Sequence, residues 1–194
     1  VEQRNRSALV ILAHPIPGSF NHSAAEQANG TLVENGFAVQ VHDLYAEGFQ
    51  PLLTQEELKR RFSFDPEIQE FGRQTRNAEL LVFVHPDWWG GPPAVLKGWL
   101  ERVLRPGVAY DFEGPEFSKK EKVPLLTGKK VLVLCTTDAA QNELLARTWR
   151  ESILAYCGIT HARVEVLTDM RNSTRRQRTR WLENIPGYVK SLID

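Results

Sequence analysis

The stretch ILAHPIPGSFNHSAAEQ, residues 11–27, passes from an apolar run into a helical pattern through a turn holding His14, Gly18, Ser19 and Asn21. A helix entered this way presents free N–H groups and the positive end of its dipole, which together suit a phosphate. Ser19 and Asn21 add side-chain donors, and Gly18 lets the chain turn tightly. The same residues also serve as plain helix caps, and the turn alone leaves both readings open. A second stretch, HPDWWGGPPAVLKGWLERVL (85–104), sets Trp88 and Trp89 just past an apolar run and follows them with Gly90 and Gly91. Such a pair offers a flat aromatic wall, and the glycines leave backbone amides open to a planar ligand. Packing beneath a loop is the alternative.

Other chemistries lack their residues. No G-x-G-x-x-G follows the first apolar run, and Asp43 alone does not make a dinucleotide site. No G-x-x-x-x-G-K-[ST] occurs, and LTGKK (126–130) enters an apolar run instead of leaving one. His22, His42, His85 and His161 are scattered without metal-ligand spacing, so no metal site is expected. Cys135 and Cys157 read as core thiols. The run RNSTRRQRTR (171–180) carries five arginines and no acid, the pattern of a solvated helix face, with docking of an anionic partner or of an NADP phosphate as the alternative. SKKEK (118–122) reads as a solvated loop.

The elements that must hold these residues alternate. SALVILA (7–13), ELLVFVH (79–85) and KKVLVLCTT (129–137) are nearly continuous apolar runs, as expected of parallel strands covered on both faces. FAVQVHDL (37–44) and ARVEVLT (162–168) alternate more and suit the two edges. Helical periodicity runs through 92–105 and 141–157, and Thr174 with Gln177 has capping-box spacing at the start of a last helix that Pro186 should kink or interrupt. Five strands and roughly five helices in alternation imply an α/β fold, a doubly wound parallel sheet. Residues 106–128 form the longest irregular stretch. Ligands of such a sheet bind beyond the carboxyl ends of its strands, which selects 14–22, 43–53, 86–91 and 136–143.

The chain has 194 residues, fit for one domain over 1–194, with 42% hydrophobic and 25% charged residues. Lys+Arg equals Asp+Glu, so no global charge draws it to nucleic acid or membrane. No apolar stretch is long enough to span a bilayer, and the first residues lack a signal-peptide pattern. With two cysteines, a reduced, cytoplasmic setting is expected.

LAHPIPGSFN, VHDLYAEGFQPLLTQEEL and HPDWWGGPPAVLKGWLERVLRPGVAYDF together resemble the flavodoxin-like NAD(P)H:quinone oxidoreductase family. That family includes the mammalian quinone reductases, the bacterial modulator-of-drug-activity proteins and the potassium-efflux ancillary subunits. The likeness runs in order from about residue 8 to 136 and resumes near LAYCGI (154–159). It implies a five-stranded, three-layer α/β/α flavodoxin-like fold that binds FMN, or alternatively FAD. His14, Ser19, Phe20 and Asn21 match the family's flavin-phosphate turn, and Pro86, Asp87, Trp88, Trp89 and Gly90 match the segment along the isoalloxazine ring. By the same resemblance backbone amides near Trp88, Trp89 and Thr137 face the flavin. Trp89, Tyr110 and Phe112 shape a substrate pocket, the last two in the partner subunit of a homodimer.

The likeness breaks after Thr136 and Thr137, where Asp138 stands at a family glycine. Its carboxylate either disfavours the charge of a reduced flavin, turns outward, or accepts from the flavin N3–H. The segment 137–157 is shorter than in the quinone reductases and lacks their Tyr and His pair, so no general acid is assigned. The resemblance implies hydride transfer from NAD(P)H to the flavin and then to a quinone-like acceptor. A regulatory flavoprotein attached to a membrane transporter and a non-enzymatic electron carrier are the alternatives, and the aromatic loop at 108–112 favours the enzyme over the carrier.

Overall fold

A computed structural model describes residues 6–60, 62–114, 121–140 and 143–194. The strands are β1 (Ser7–Leu12), β2 (Ala38–Asp43), β3 (Leu80–Pro86), β4 (Tyr110–Glu113), β5 (Glu121–Pro124), β6 (Lys130–Thr136) and β7 (His161–Leu167). The helices are α1 (Phe20–Glu34), α2 (Gln55–Lys59), α3 (Pro66–Asn77), α4 (Ala94–Val103), α5 (Glu143–Arg147) and α6 (Arg175–Ile193). Five strands form one parallel sheet in the order β2-β1-β3-β6-β7, so the two alternating segments are indeed its edges.

The apolar runs stay apolar because both sheet faces are covered. Ala8, Val10, Leu12, Val82 and Leu132 point to one side, where they meet Ala24, Ala25, Ala28 and Leu32 of α1 and Ile185 and Val189 of α6. Leu9, Ile11, Phe83, Val131 and Val133 point to the other, against Phe71 of α3, Trp99 of α4 and Trp149. The chain thus forms three layers, α/β/α, and crosses over the sheet between β1 and β3, the switch point beyond whose carboxyl ends such sheets bind their ligands.

Three expectations are corrected. Within 106–128, which reads as irregular, β4 and β5 form an antiparallel ribbon with Tyr110 opposite Pro124. The strands are too short to show a period, and of SKKEK residues 118–120 lie outside the described residues. Pro186 does not interrupt α6, which runs on to Ile193. Ile185, Val189 and Leu192 are buried on both sides of the proline, and their packing outweighs one lost backbone bond. The helical pattern of 141–157 resolves into α5, a π-helical turn over Thr148–Leu154 and a short 3-10 turn over Ala155–Cys157. Residues 141–142 lie outside the described residues. The wider turn keeps Leu145, Trp149 and Leu154 inside while Leu144 and Tyr156 face solvent.

Candidate functional site

Three segments meet at the carboxyl edge of β1, β3 and β6. The first is the turn between β1 and α1. Gly18 adopts φ +70°, the Ser19 amide donates to the Ile16 carbonyl (3.3 Å), and the first helical bond runs from Ser23 back to Ser19. The opening amides of α1, from Phe20, therefore have no carbonyl one turn back to bond. Ser19 is the N-cap residue, yet its side chain makes no capping bond; its Oγ lies 2.8 Å from His22 Nδ1 instead. His22 Nε2 in turn sits 3.0 Å from Asp43 Oδ2 at the end of β2. His14, half-buried, accepts the Ile16 amide at Nδ1 (3.2 Å), and burial lowers its pKa from the usual histidine value. Phe20 turns its ring edge to Trp181 of α6, 6.2 Å between centroids.

Asn21 ties this turn to the sheet. Its Nδ2 donates to Thr136 Oγ1 (3.0 Å) in a buried bond across the cleft. The Thr136 carbonyl accepts the Asp87 amide (2.6 Å), and Thr137 Oγ1 donates to Asp87 Oδ2 (3.0 Å). Turn, second loop and third loop are thereby one hydrogen-bonded frame.

The second loop is a tight hairpin. The Trp88 amide donates to the Gly91 carbonyl (2.9 Å), with Trp89 at φ +59° and Gly90 at φ +80° between them. Two successive positive φ values are the signature of a type I′ turn, which glycine fills freely and tryptophan only under strain. Trp89 stands fully exposed at its apex, and Trp88 is partly exposed. Beneath them His85 is wholly buried. It accepts the Trp149 indole N–H at Nε2 (3.1 Å), so the proton on Nδ1 is the one donated to the Pro86 carbonyl (2.9 Å). Burial pushes the pKa of His85 down to about 4.

At the third loop the Asp138 carboxylate turns outward. It accepts from the Arg171 amide (2.9 Å) and pairs with the Arg171 guanidinium (3.1 Å). Two of the backbone amides expected to face a flavin are already used: Thr137 donates to Leu167 (3.0 Å) and Trp88 to Gly91. Parallel pairing and the hairpin spend them, which sequence reasoning overlooked.

Tyr110 and Phe112 do not join this constellation. The hairpin that carries them leaves the end of α4 and returns to the start of β6, so its base lies toward the amino-terminal end of the strands. There Tyr110 packs edge-on against Phe112 (5.6 Å) and Tyr156 (4.9 Å). Cys135 and Cys157 are buried; burial raises both thiols, Cys157 to about 11. Sequence reasoning missed His22 as Asp43's partner, His85 as a support for the Pro86 carbonyl, and Trp181. The only available signals were a histidine three residues after Ser19 and one directly before Pro86.

A sequence model of the family described by its flavodoxin-like fold matches residues 6–186. The chain is similar to ribosyldihydronicotinamide dehydrogenase (quinone) of Rattus norvegicus, 33% identical over 96% of this chain and 92% of that protein. It is also similar to NAD(P)H dehydrogenase (quinone) 1 of Rattus norvegicus, 28% identical over 96% of this chain and 76% of that one. Among solved structures, NAD(P)H:quinone oxidoreductase from Methanothermobacter marburgensis superimposes with a TM-score of 0.81 at 25% identity, covering 98% of each chain.

Proposed function

The chain belongs to the flavodoxin-like fold family, among its NAD(P)H:quinone oxidoreductases, and from that premise we propose a flavin-dependent NAD(P)H oxidoreductase that reduces a quinone-like acceptor. The observation that carries it is the frame at the carboxyl edge of β1, β3 and β6, where an uncapped helix start faces two loops bonded to each other. The residues present fit a flavin. The opening amides of α1, with Ser19, His14 and Asn21 around them, suit its phosphate, and the 86–91 and 136–138 loops border the space for its ring. We take FMN as the bound form, because the helix start offers one compact set of donors suited to a terminal phosphate.

A bound flavin supplies acceptance of hydride from NAD(P)H and its later delivery to the acceptor. The protein's own residues position and shield. Asn21 and Thr136 lock the helix start to β6, so the phosphate donors stay aimed. Asp87, bonded to both Thr136 and Thr137, fixes the loop that carries the tryptophans. Asp138 is paired with Arg171, which offsets the carboxylate's charge beside the third loop. Trp89, fully exposed at the apex of its turn, is available to stack on whatever lies beside the ring.

A homodimer completes the pocket in this reading. Leu52, Leu58, Phe62 and Phe64 are exposed on the segment that packs along α4. Tyr110 and Phe112, remote from their own chain's cleft, then serve the partner's. The setting we propose is cytoplasmic, and among the described residues no helix is long and apolar enough to cross a membrane. Steady-state oxidation of NADPH and NADH by the FMN-loaded chain, with and without a benzoquinone, tests the function. Acceptor-dependent oxidation is expected; a flavin-loaded chain that reduces no quinone with either nucleotide would refute it.

A further inference from the structure

The phosphate turn is short of permanent charge. From Ser7 to Leu58 the sequence has no lysine or arginine, so β1, α1, β2 and the loop beyond carry none. Of the arginines near α6, Arg171 is held by Asp138, and Arg178 by Ser173 and the Met170 carbonyl. Arg175, Arg176 and Arg180 line an exposed groove of α6 with Glu183. The side chains that face the turn with a variable charge are His14 and His22, whose rings lie 6.2 Å apart, and Asp43. Glu26, one turn further along α1, is exposed.

We propose that His22 and Asp43 form a proton-accepting part of the phosphate subsite, with His22 bridging Asp43 and Ser19 as an imidazolium when a phosphate monoester is bound. The inference rests on the flavin reading above and adds a role for two residues that the family resemblance did not supply. Its logic is donor bookkeeping. A carboxylate only accepts, so a neutral His22 keeps its single N–H on Nε2, toward Asp43 (3.0 Å). Nδ1 is then a lone pair, and the bond to Ser19 Oγ (2.8 Å) must use the Ser19 proton. In that state Ser19 has no proton left for a phosphate.

One added proton on Nδ1 reverses the bond. His22 then donates to both Asp43 and Ser19, and the Ser19 hydroxyl is free to donate into the turn. The same proton places a cation between the half-buried Asp43 carboxylate and an incoming dianion, which would otherwise repel each other. The proton comes from solvent, so phosphate binding and proton uptake are linked. Asp43 Oδ1 accepts from the Tyr45 and Ala46 amides (3.1 and 3.2 Å), which fixes the carboxylate for this role.

Calorimetric titration of FMN into the flavin-free 194-residue chain, in two buffers of different ionisation enthalpy at mildly alkaline pH, counts the protons taken up. The expected result is uptake approaching one proton per FMN, and none for riboflavin, which lacks the phosphate. In His22→Gln uptake should vanish and FMN should bind about tenfold more weakly, a change of ~1.4 kcal/mol; in His161→Gln, an exposed histidine at the start of β7, uptake should persist. Nitrogen-15 spectra of the wild-type imidazoles give a second readout that needs no variant: both ring nitrogens of His22 should carry protons once FMN is added. FMN binding without proton uptake, uptake retained in His22→Gln, or a His22 ring still singly protonated would each overturn the inference and leave the flavin reading standing. Absence of FMN binding would overturn the inference, and absence of FAD binding as well would overturn the flavin reading with it.

Discussion

His85 shows how a single buried side chain bears on both stability and the site. Its ring accepts from Trp149 and donates to the carbonyl of Pro86, the first residue of the 86–91 loop proposed to border the flavin. Burial lowers its pKa from 6.5 to about 4, so the folded state prefers the neutral ring. The contribution is therefore complete above about pH 6.5 and is lost as pH falls toward 4, by roughly 3 kcal/mol in all. Denaturant unfolding across that range should show the loss in the wild type and a flatter dependence in His85→Phe. Parallel pH dependence of the two would rule His85 out as its source. Trp89 makes the opposite kind of prediction. Its positive φ is strained, so Trp89→Gly should hold stability or raise it by up to about 1 kcal/mol. The same change should lower flavin retention or turnover several-fold, measured as bound flavin per chain and quinone-dependent rate. Unchanged values for both would remove Trp89 from the site. The sequence placed Trp89 beside a cleft, and a tight Trp-Trp-Gly-Gly run was visible in it. Its exposure was not, because a type I′ turn depends on a bond between Trp88 and Gly91 that no periodicity announces.

Among the elements, α4 is the one most constrained by its neighbours. Gly98 faces the Pro51 backbone so closely that an added Cβ would lie 2.2 Å from the Pro51 carbonyl oxygen. Arg102, four residues on, is buried and bonded to Glu57 of α2 (2.8 Å), Asp65 (2.9 Å) and the Gln50 carbonyl (2.7 Å). Burial alone would raise the Glu57 carboxyl, but Arg102, the Thr54 amide and Ser63 hold it down at about 2. Arg102→Met strips the buried carboxylate of its partner and should cost about 3–5 kcal/mol, read as a fall in the unfolding midpoint. A loss below about 1 kcal/mol would mean that the segment 50–65 is not held through this pair. The strands and the edge order were legible because burial on both faces writes itself as continuous apolar runs. The ribbon of β4 and β5, the π-helical turn and the unbroken α6 were not. Each depends on distant packing, such as Ile185 and Val189 against the sheet, that local pattern does not encode.

For the whole molecule, the aromatic pair Tyr110 and Phe112, on the separate β4–β5 ribbon, and the site it is proposed to serve lie toward opposite ends of the parallel strands. In the proposed homodimer a second chain brings them together, with Leu58 and Phe64, exposed beside α4, as the proposed apolar contact. Sedimentation should therefore find a dimer, and Phe64→Asp should shift it toward monomer, with quinone turnover lost and flavin still bound. A wild-type monomer with full turnover would place the acceptor pocket within one chain. Everything turns on whether the frame at the carboxyl edge holds a reducible flavin. The most direct measurement is an anaerobic visible spectrum of the purified chain, reconstituted with FMN where it is colourless, before and after NADPH or NADH. The account predicts a bound flavin band that one of the nucleotides bleaches. A chain that retains neither FMN nor FAD, or a bound flavin that neither nucleotide reduces, would contradict it.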